Sequence, residues 1–309
     1  MYAVQFQEFG APDVLTVDSF PDPHAGPGTI RIRVKAAGLS PVDLGVRSGR
    51  TAAAITFPHI PGVDAAGIVD EIGDGVSGVA IGDDVFGTVE ISKLGGAAAE
   101  FAVLNFWAHR PDALPTVEAA AAGTSVETST RALDLLDVHD GQTLLVDGAS
   151  GGVGSTAIQL AIARGARVIA TGREESFEFL SELGATPVLY GEGLAERVAE
   201  LGIAVDLALD VAGKGSLPEL IAIAGDAGSV LTLADFAGPK LGVRISMGEF
   251  AGEPDGKHGL EVAATLAEQG RFRIPVEAVF PFGRANEAHE LAEAGGRRGK
   301  IVLVTESGN

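Results

Sequence analysis

The chain has 309 residues, no cysteine, and a formal net charge of -20 from 42 acidic and 22 basic side chains. The missing cysteines exclude disulfides, thiolate metal sites and a cysteine nucleophile together. The acidity argues against nucleic acid or an anionic membrane surface as a partner, and a hydrophobic content of 46% is ample for two buried cores. No apolar run reaches bilayer-spanning length. The start of the chain lacks the basic and apolar regions of a signal peptide, so a cytoplasmic location is the expectation.

Residues 1 to about 120 read as short strands with frequent Gly and Pro. Tyr2–Phe6 and Thr29–Val34 alternate like half-buried strands. Gly67–Ile72, Asp84–Gly87 and Ala99–Val103 add three more, and the set suggests a small barrel. From Thr116 to Leu136 the chain is alanine-rich and predicts a helix.

Strand Leu144–Val146 then opens a distinctive stretch. It turns through Gly148-Ala149-Ser150-Gly151-Gly152-Val153-Gly154 and continues as a helix with Ala157, Ile158, Leu160 and Ala161 on its apolar positions. Strand, glycine-rich turn, helix is the layout that cradles a dinucleotide pyrophosphate. Gly151 and Gly152 let backbone approach phosphate, Gly154 lets the helix pack on its strand, and the helix start offers N–H groups to the anion. The first glycine slot holds Ala149, so the pattern alone also fits another glycine-rich α/β turn. A second strand, Arg167–Thr171, follows at βαβ distance and ends in Thr171-Gly172-Arg173. An NAD site places an acid there for the ribose 2′-hydroxyl. Arg173 instead suits a 2′-phosphate, so the expected cofactor is NADP(H).

Helices over 174–183, 194–201 and 217–224 alternate with strands 187–190, 205–210 and 228–233. That alternation predicts a doubly wound parallel sheet and an α/β fold. Residues 234–256 read as irregular. Helix 259–269, strand 276–280, helix 284–293 and strand 300–305 close the chain.

The loop GASGGVGSTAIQLA, the segments Gly38-Leu39-Ser40-Pro41-Val42-Asp43 and Pro61-Gly62-Val63-Asp64-Ala65-Ala66-Gly67, and the closing Gly299-Lys300-Ile301-Val302-Leu303 together resemble the medium-chain dehydrogenases/reductases. The likeness covers nearly the whole chain and is nearest to the zinc-free quinone oxidoreductase branch. It implies a GroES-like barrel over 1–118, completed by about 270–309, and a Rossmann domain over 119–269 that binds the cofactor. It also implies a homodimer. In zinc-dependent relatives a Cys and a Gly-His-Glu hold the metal; those slots here are Ser40, Val63 and Asp64, a set that cannot hold catalytic zinc. Two further departures concern the substrate side: Ser40 stands where Asn is common, and Thr130 stands where an aromatic follows the Thr-Ala that corresponds to Thr128-Ser129.

The resemblance therefore implies hydride transfer from NADPH to a quinone or another conjugated carbonyl, without a Lewis acid, on a small-molecule substrate. Ser40 and Thr128 are the hydroxyls assigned to the developing oxyanion; strand-end and helix-surface roles compete with these assignments. Cofactor binding is assigned to Ser150, Gly151, Gly152, Val153, Gly154, Thr171, Gly172, Arg173 and Tyr190, and to Val211, Leu231 and Leu233 at later strand ends. Arg297 and Lys300 are further candidates. Asp43 reads as ordering a loop, and His59 as structural. An enoyl or 2-alkenal reductase, and a non-catalytic NADPH-binding protein, remain open alternatives.

Overall fold

The computed structural model describes residues 1–51, 54–295 and 299–305. They form two compact units, 1–124 with 260–309, and 125–259.

In the first unit β1 (Tyr2–Gln5) pairs antiparallel with β2 (Thr16–Ser19). β3 (Ile30–Leu39) leads into α1 (Pro41–Arg47), followed by β4 (Asp64–Ile72), β5 (Asp84–Val89) and β6 (Phe101–His109). β3 pairs with β4, β4 with β5, β5 with β6, and β6 returns to β3, so the sheet closes on itself and leaves no edge there. Alternation along β3 turns Ile30, Ile32 and Val34 inward, each at most 2% exposed, against Val85 and Leu104. Each such apolar side chain contributes about 1.5–3 kcal/mol on burial.

α2 (Thr116–Ala120) and α3 (Gly123–Leu135) replace the single helix expected over 116–136. The chain turns at Ala121 and Ala122, both fully buried. The first unit runs on to Thr124, past the expected boundary at 118. Its reason is visible in the Thr124 N–H, which donates to Asp64 Oδ1 of β4 at 2.6 Å.

The second unit is a six-stranded sheet: β7 (Thr143–Asp147), β8 (Arg167–Gly172), β9 (Thr186–Leu189), β10 (Leu207–Asp210), β11 (Val230–Thr232) and β12 (Arg244–Ile245). Helices α4 (Gly152–Ala163), α5 (Phe177–Glu182), α6 (Leu194–Glu200) and α7 (Leu217–Ala224) connect them. Every pair is parallel and the spatial order is β12-β11-β10-β7-β8-β9. Leu144, Leu145 and Val146 are fully buried because both faces of β7 are covered. Strand order reverses between β7 and β10, which places the ligand crevice of such sheets at their C-terminal ends. β12 falls in the stretch read from sequence as irregular; two residues are too short to show a period.

From Leu260 in α8 (Gly259–Glu268) the chain is back in the first unit, followed there by β13 (Val276–Pro281), α9 (Ala285–Ala294) and β14 (Lys300–Val304). β14 pairs antiparallel with the C-terminal half of β3, and β13 pairs parallel with β14. The result is a GroES-like barrel unit and a Rossmann unit in one α/β chain.

Candidate functional site

In the second unit, β7 delivers its last residue, Asp147, to the switch point beside Asp210 of β10. α4 starts at Gly152 with Gly151 as N-cap, and no side chain caps it. The N–H groups of its first turn therefore have no intrahelical acceptor and point at the loop's mouth, as an anion requires. A Cβ built on Gly151 meets nothing nearer than Gly148 O at 3.9 Å, so the space beside it is open. A Cβ on Gly154 would lie 2.5 Å from Gly148 O and 2.6 Å from Ala149 Cα. Gly154 is thus the glycine that lets α4 close on the loop. Ser150, Gly152 and Val153 are partly exposed alongside Gly151.

The loop is anchored from behind. The Thr171 hydroxyl donates to Asp147 and accepts from the Gly148 N–H at 3.1 Å, while Ser216 Oγ donates to the other oxygen of Asp147. Asp210 accepts from the N–H groups of Ala212 and Gly213 at 3.0 and 2.8 Å and from Thr232 Oγ1 at 2.7 Å. Burial raises the Asp210 pKa, those donors oppose the rise, and the neighbouring Asp147 adds to it.

β8 ends in Gly172, and no acid stands there. Among the described residues the exposed Arg173 guanidinium has no hydrogen bond or ion pair. Tyr190 follows β9, is 51% exposed, and donates its N–H to Gly172 O at 3.3 Å. Arg197 steadies its loop by donating to the carbonyls of Leu189, Tyr190, Gly191 and Glu192. These features fit a nicotinamide dinucleotide: open backbone donors for the pyrophosphate, and at the strand end a cation with no side-chain partner among the described residues. Val211 and Leu233 are partly exposed at strand ends, whereas Leu231 is fully buried within the sheet. Thr128 donates to Glu127 at 3.0 Å and accepts from Arg131 at 3.4 Å, within a set that ties Arg131 to Ser246 and Glu253. Thr130 is 2% exposed, and a Cβ on Gly259 would lie 1.9 Å from its Oγ1. An aromatic side chain has no room at that position.

The first unit holds a separate polar cluster. Ser40 caps α1, and its N–H donates to Asp43 Oδ2 at 2.7 Å. Asp43 is fully buried and also accepts from the Gly62 N–H at 3.0 Å, so it ties the turn after β3 to the turn before β4. Burial pushes its pKa up to about 7, helped by the Asp64 charge and opposed by those N–H groups and by Lys300. Ser40 Oγ lies 2.9 Å from Asp64 Oδ2 and 3.1 Å from Thr124 Oγ1. Thr124 Oγ1 donates to Asp64 Oδ2 at 2.6 Å. Lys300, at the start of β14, donates to Ser40 Oγ at 2.6 Å and to Asp64 Oδ2 at 3.2 Å. Its ammonium therefore turns inward to this cluster. Arg297 lies outside the described residues. His59 is buried, its Nε2 is 3.0 Å from Leu94 O, and its ring packs edge-on against Phe6; burial lowers its pKa.

The sequence reading singled out Ser40, Asp43 and Lys300 separately but passed over Thr124 and gave Asp64 no role beyond its slot. Asp64 and Lys300 are 236 residues apart, a pairing that only β3–β14 and β3–β4 pairing creates. Thr124, one helical turn before Thr128, had only its spacing as a signal. Among the described residues no group of three His, Cys, Asp or Glu side chains is placed to hold a metal ion, and no helix is long and apolar enough to cross a membrane.

Comparison with known proteins adds family relationships. Residues 26–109 match the alcohol dehydrogenase GroES-like domain, and residues 183–303 match the zinc-binding dehydrogenase family. The quinone oxidoreductase of Sus scrofa is 30% identical over 326 residues, covering 98% of this chain and 98% of the relative. The 2-methylene-furan-3-one reductase of Solanum lycopersicum is 30% identical over 319 residues, covering 98% of this chain and 79% of the relative. A mycobacterial protein solved in complex with NADPH superposes with a TM-score of 0.81 at 26% identity, covering 98% of this chain and 99% of that one.

Proposed function

The chain belongs to the medium-chain dehydrogenase/reductase superfamily, in its zinc-free quinone oxidoreductase-like branch, and from that premise we propose that it is an NADPH-dependent, zinc-independent reductase of quinones and other conjugated carbonyls. The observation that carries the reading is the uncapped start of α4 beside an open Gly151, with an Arg173 guanidinium that has no partner among the described residues, instead of an acid, at the end of β8.

NADPH, when bound, supplies hydride. The N–H groups of residues 151–154 would hold its pyrophosphate, and Arg173 and Tyr190 would hold its 2′-phosphate. The family resemblance assigns Ser40 of the first unit and Thr128 of the second as hydroxyls for the oxygen that gains charge as the acceptor is reduced. Ser40, Val63 and Asp64 leave the metal slots of the zinc-dependent relatives without a ligand set, so hydroxyl and ammonium groups take over charge stabilisation. The name of the tomato relative favours an enone within the acceptor class. The enzyme works as a homodimer.

The test follows NADPH absorbance with purified protein against a panel of quinones and enones. Turnover with at least one class supports the reading. Tight NADPH binding with no turnover against any acceptor favours a non-catalytic cofactor-binding protein instead.

A further inference from the structure

The chain leaves β9 as Leu189-Tyr190-Gly191-Glu192-Gly193 and enters α6 at Leu194. Gly191 and Gly193 take φ of +90° and +79°, a region that favours glycine, so the stretch curls tightly. The curl turns the carbonyls of Leu189, Tyr190, Gly191 and Glu192 towards one side chain, Arg197 of α6. Arg197 Nε donates to Leu189 O at 3.0 Å and Nη1 to Glu192 O at 2.9 Å. Its Nη2 donates to Gly191 O at 2.9 Å and to Tyr190 O at 3.3 Å. The planar fork of arginine presents donors in enough directions to do this; a lysine ammonium on its single stem does not.

The same stretch is also held by its N–H groups. Glu219 of α7 accepts from the N–H of Gly193 and of Ala195, each at 3.2 Å. A cation thus grips the carbonyls and an anion the N–H groups on either side of Gly193. Among the described residues Arg197 makes no ion pair, so its charge faces carbonyls rather than a carboxylate. What this clamp fixes is Tyr190. The Tyr190 N–H donates to the carbonyl of Gly172, the residue before Arg173, so one backbone hydrogen bond ties the two positions together. The Tyr190 side chain is half exposed, and among the described residues its hydroxyl has no partner. A loop ordered in advance does not have to be ordered by its ligand, which strengthens binding.

We propose that Arg197 is a positioning residue for cofactor discrimination: it holds the Tyr190 peptide so that the Tyr190 hydroxyl meets the 2′-phosphate beside Arg173, and it does not touch the cofactor itself. The role rests on the NADPH reading above. NADH has a 2′-hydroxyl in place of the phosphate, so its affinity does not depend on Arg197. No covalent bond changes in this role.

The experiment titrates NADPH and NADH by calorimetry into wild type, Arg197→Leu, Tyr190→Phe and the double variant. A second arm follows hydrogen exchange of the segment 186–193 by mass spectrometry in cofactor-free protein. Tyr190→Phe should lose about tenfold or more in NADPH affinity, the range of a hydrogen bond to a charged group. Arg197→Leu should lose most of that factor, and the double variant no more than the larger single loss, because the two residues act as one unit. NADH affinity should stay within about twofold throughout. Segment 186–193 should exchange several-fold faster in Arg197→Leu, while β7 keeps its wild-type protection. If Arg197→Leu fails to fold, Arg197→Lys gives the same comparison. With wild type preferring NADPH, any of four results overturns the proposal alone: unchanged NADPH affinity in either single variant, equal losses for both cofactors, losses that multiply in the double variant, or unchanged exchange. A wild type that does not prefer NADPH overturns the cofactor reading and this proposal with it.

Discussion

His289 on α9 is fully buried, and among the described residues neither ring nitrogen has a hydrogen-bond partner. Burial pushes its pKa down from the ordinary 6.5 to about 3, and the Arg47 charge adds to the fall. A histidine held neutral in this way takes its proton only when the protein unfolds. Stability therefore falls as pH drops below 6.5, by about 1.4 kcal/mol per unit, until about pH 3. Between pH 7 and pH 5 the loss is about 2 kcal/mol. Asp43 works in the opposite direction. Its pKa rises from 3.8 to about 7, so the folded state holds the proton that the unfolded state has released. Its contribution is complete below pH 3.8 and is lost as pH rises towards 7, a gain of about 2 kcal/mol on going from pH 7 to pH 5. The two slopes nearly cancel in the wild type. His289→Leu removes one of them and also removes two buried, unpaired nitrogens, each costing about 1–3 kcal/mol. The variant should match or exceed wild-type stability at pH 7 and exceed it by about 2 kcal/mol more at pH 5. Urea unfolding followed by circular dichroism at both pH values measures this. An equal difference between variant and wild type at the two pH values would refute the buried-neutral assignment.

Gly151→Val places its side chain in open space, so folding should be retained while NADPH affinity falls at least tenfold; unchanged affinity in a titration rejects the phosphate-loop assignment. Gly154→Ala meets Gly148 O and Ala149 Cα at 2.5 and 2.6 Å, and overpacking of that kind costs about 1–3 kcal/mol; a wild-type melting temperature contradicts the packing role. Purified enzyme should carry no stoichiometric zinc and keep its activity in chelator; elemental analysis finding about one zinc per chain rejects zinc independence.

The strand–loop–helix over 143–163 was legible because β7 is buried on both faces and α4 follows it at once, so composition and period agree. Short elements were harder. β2 is exposed at all four residues and shows no alternation. α1 spans seven residues and contains Gly45, yet its Ser40-x-x-Asp43 capping signal was present and went unread. The alanine run 119–122 hid the turn between α2 and α3, because nothing in it breaks a helix locally; burial decides the turn. The phosphate loop is local in sequence and could be read residue by residue. The Ser40–Asp64–Thr124–Lys300 cluster is assembled by barrel closure across hundreds of residues, and no local pattern announces it. Thr130 was read towards the substrate because of a family slot, and packing against Gly259 turns it inward.

Cofactor discrimination tests the central claim most directly. Among the described residues the Arg173 guanidinium has no partner, and a hydrogen bond to a charged group contributes about 1.5–3 kcal/mol, or about 10- to 100-fold in affinity. The net charge of -20 opposes any anion, but charges beyond about 8 Å are screened at physiological ionic strength, so the local cation wins. Calorimetric titration of wild type and Arg173→Ala with NADPH and NADH should show a wild-type preference for NADPH. The variant should lose about 10- to 100-fold for NADPH and almost nothing for NADH. Equal losses for both cofactors would show that Arg173 does not read the 2′-phosphate, and a wild-type preference for NADH would contradict the account.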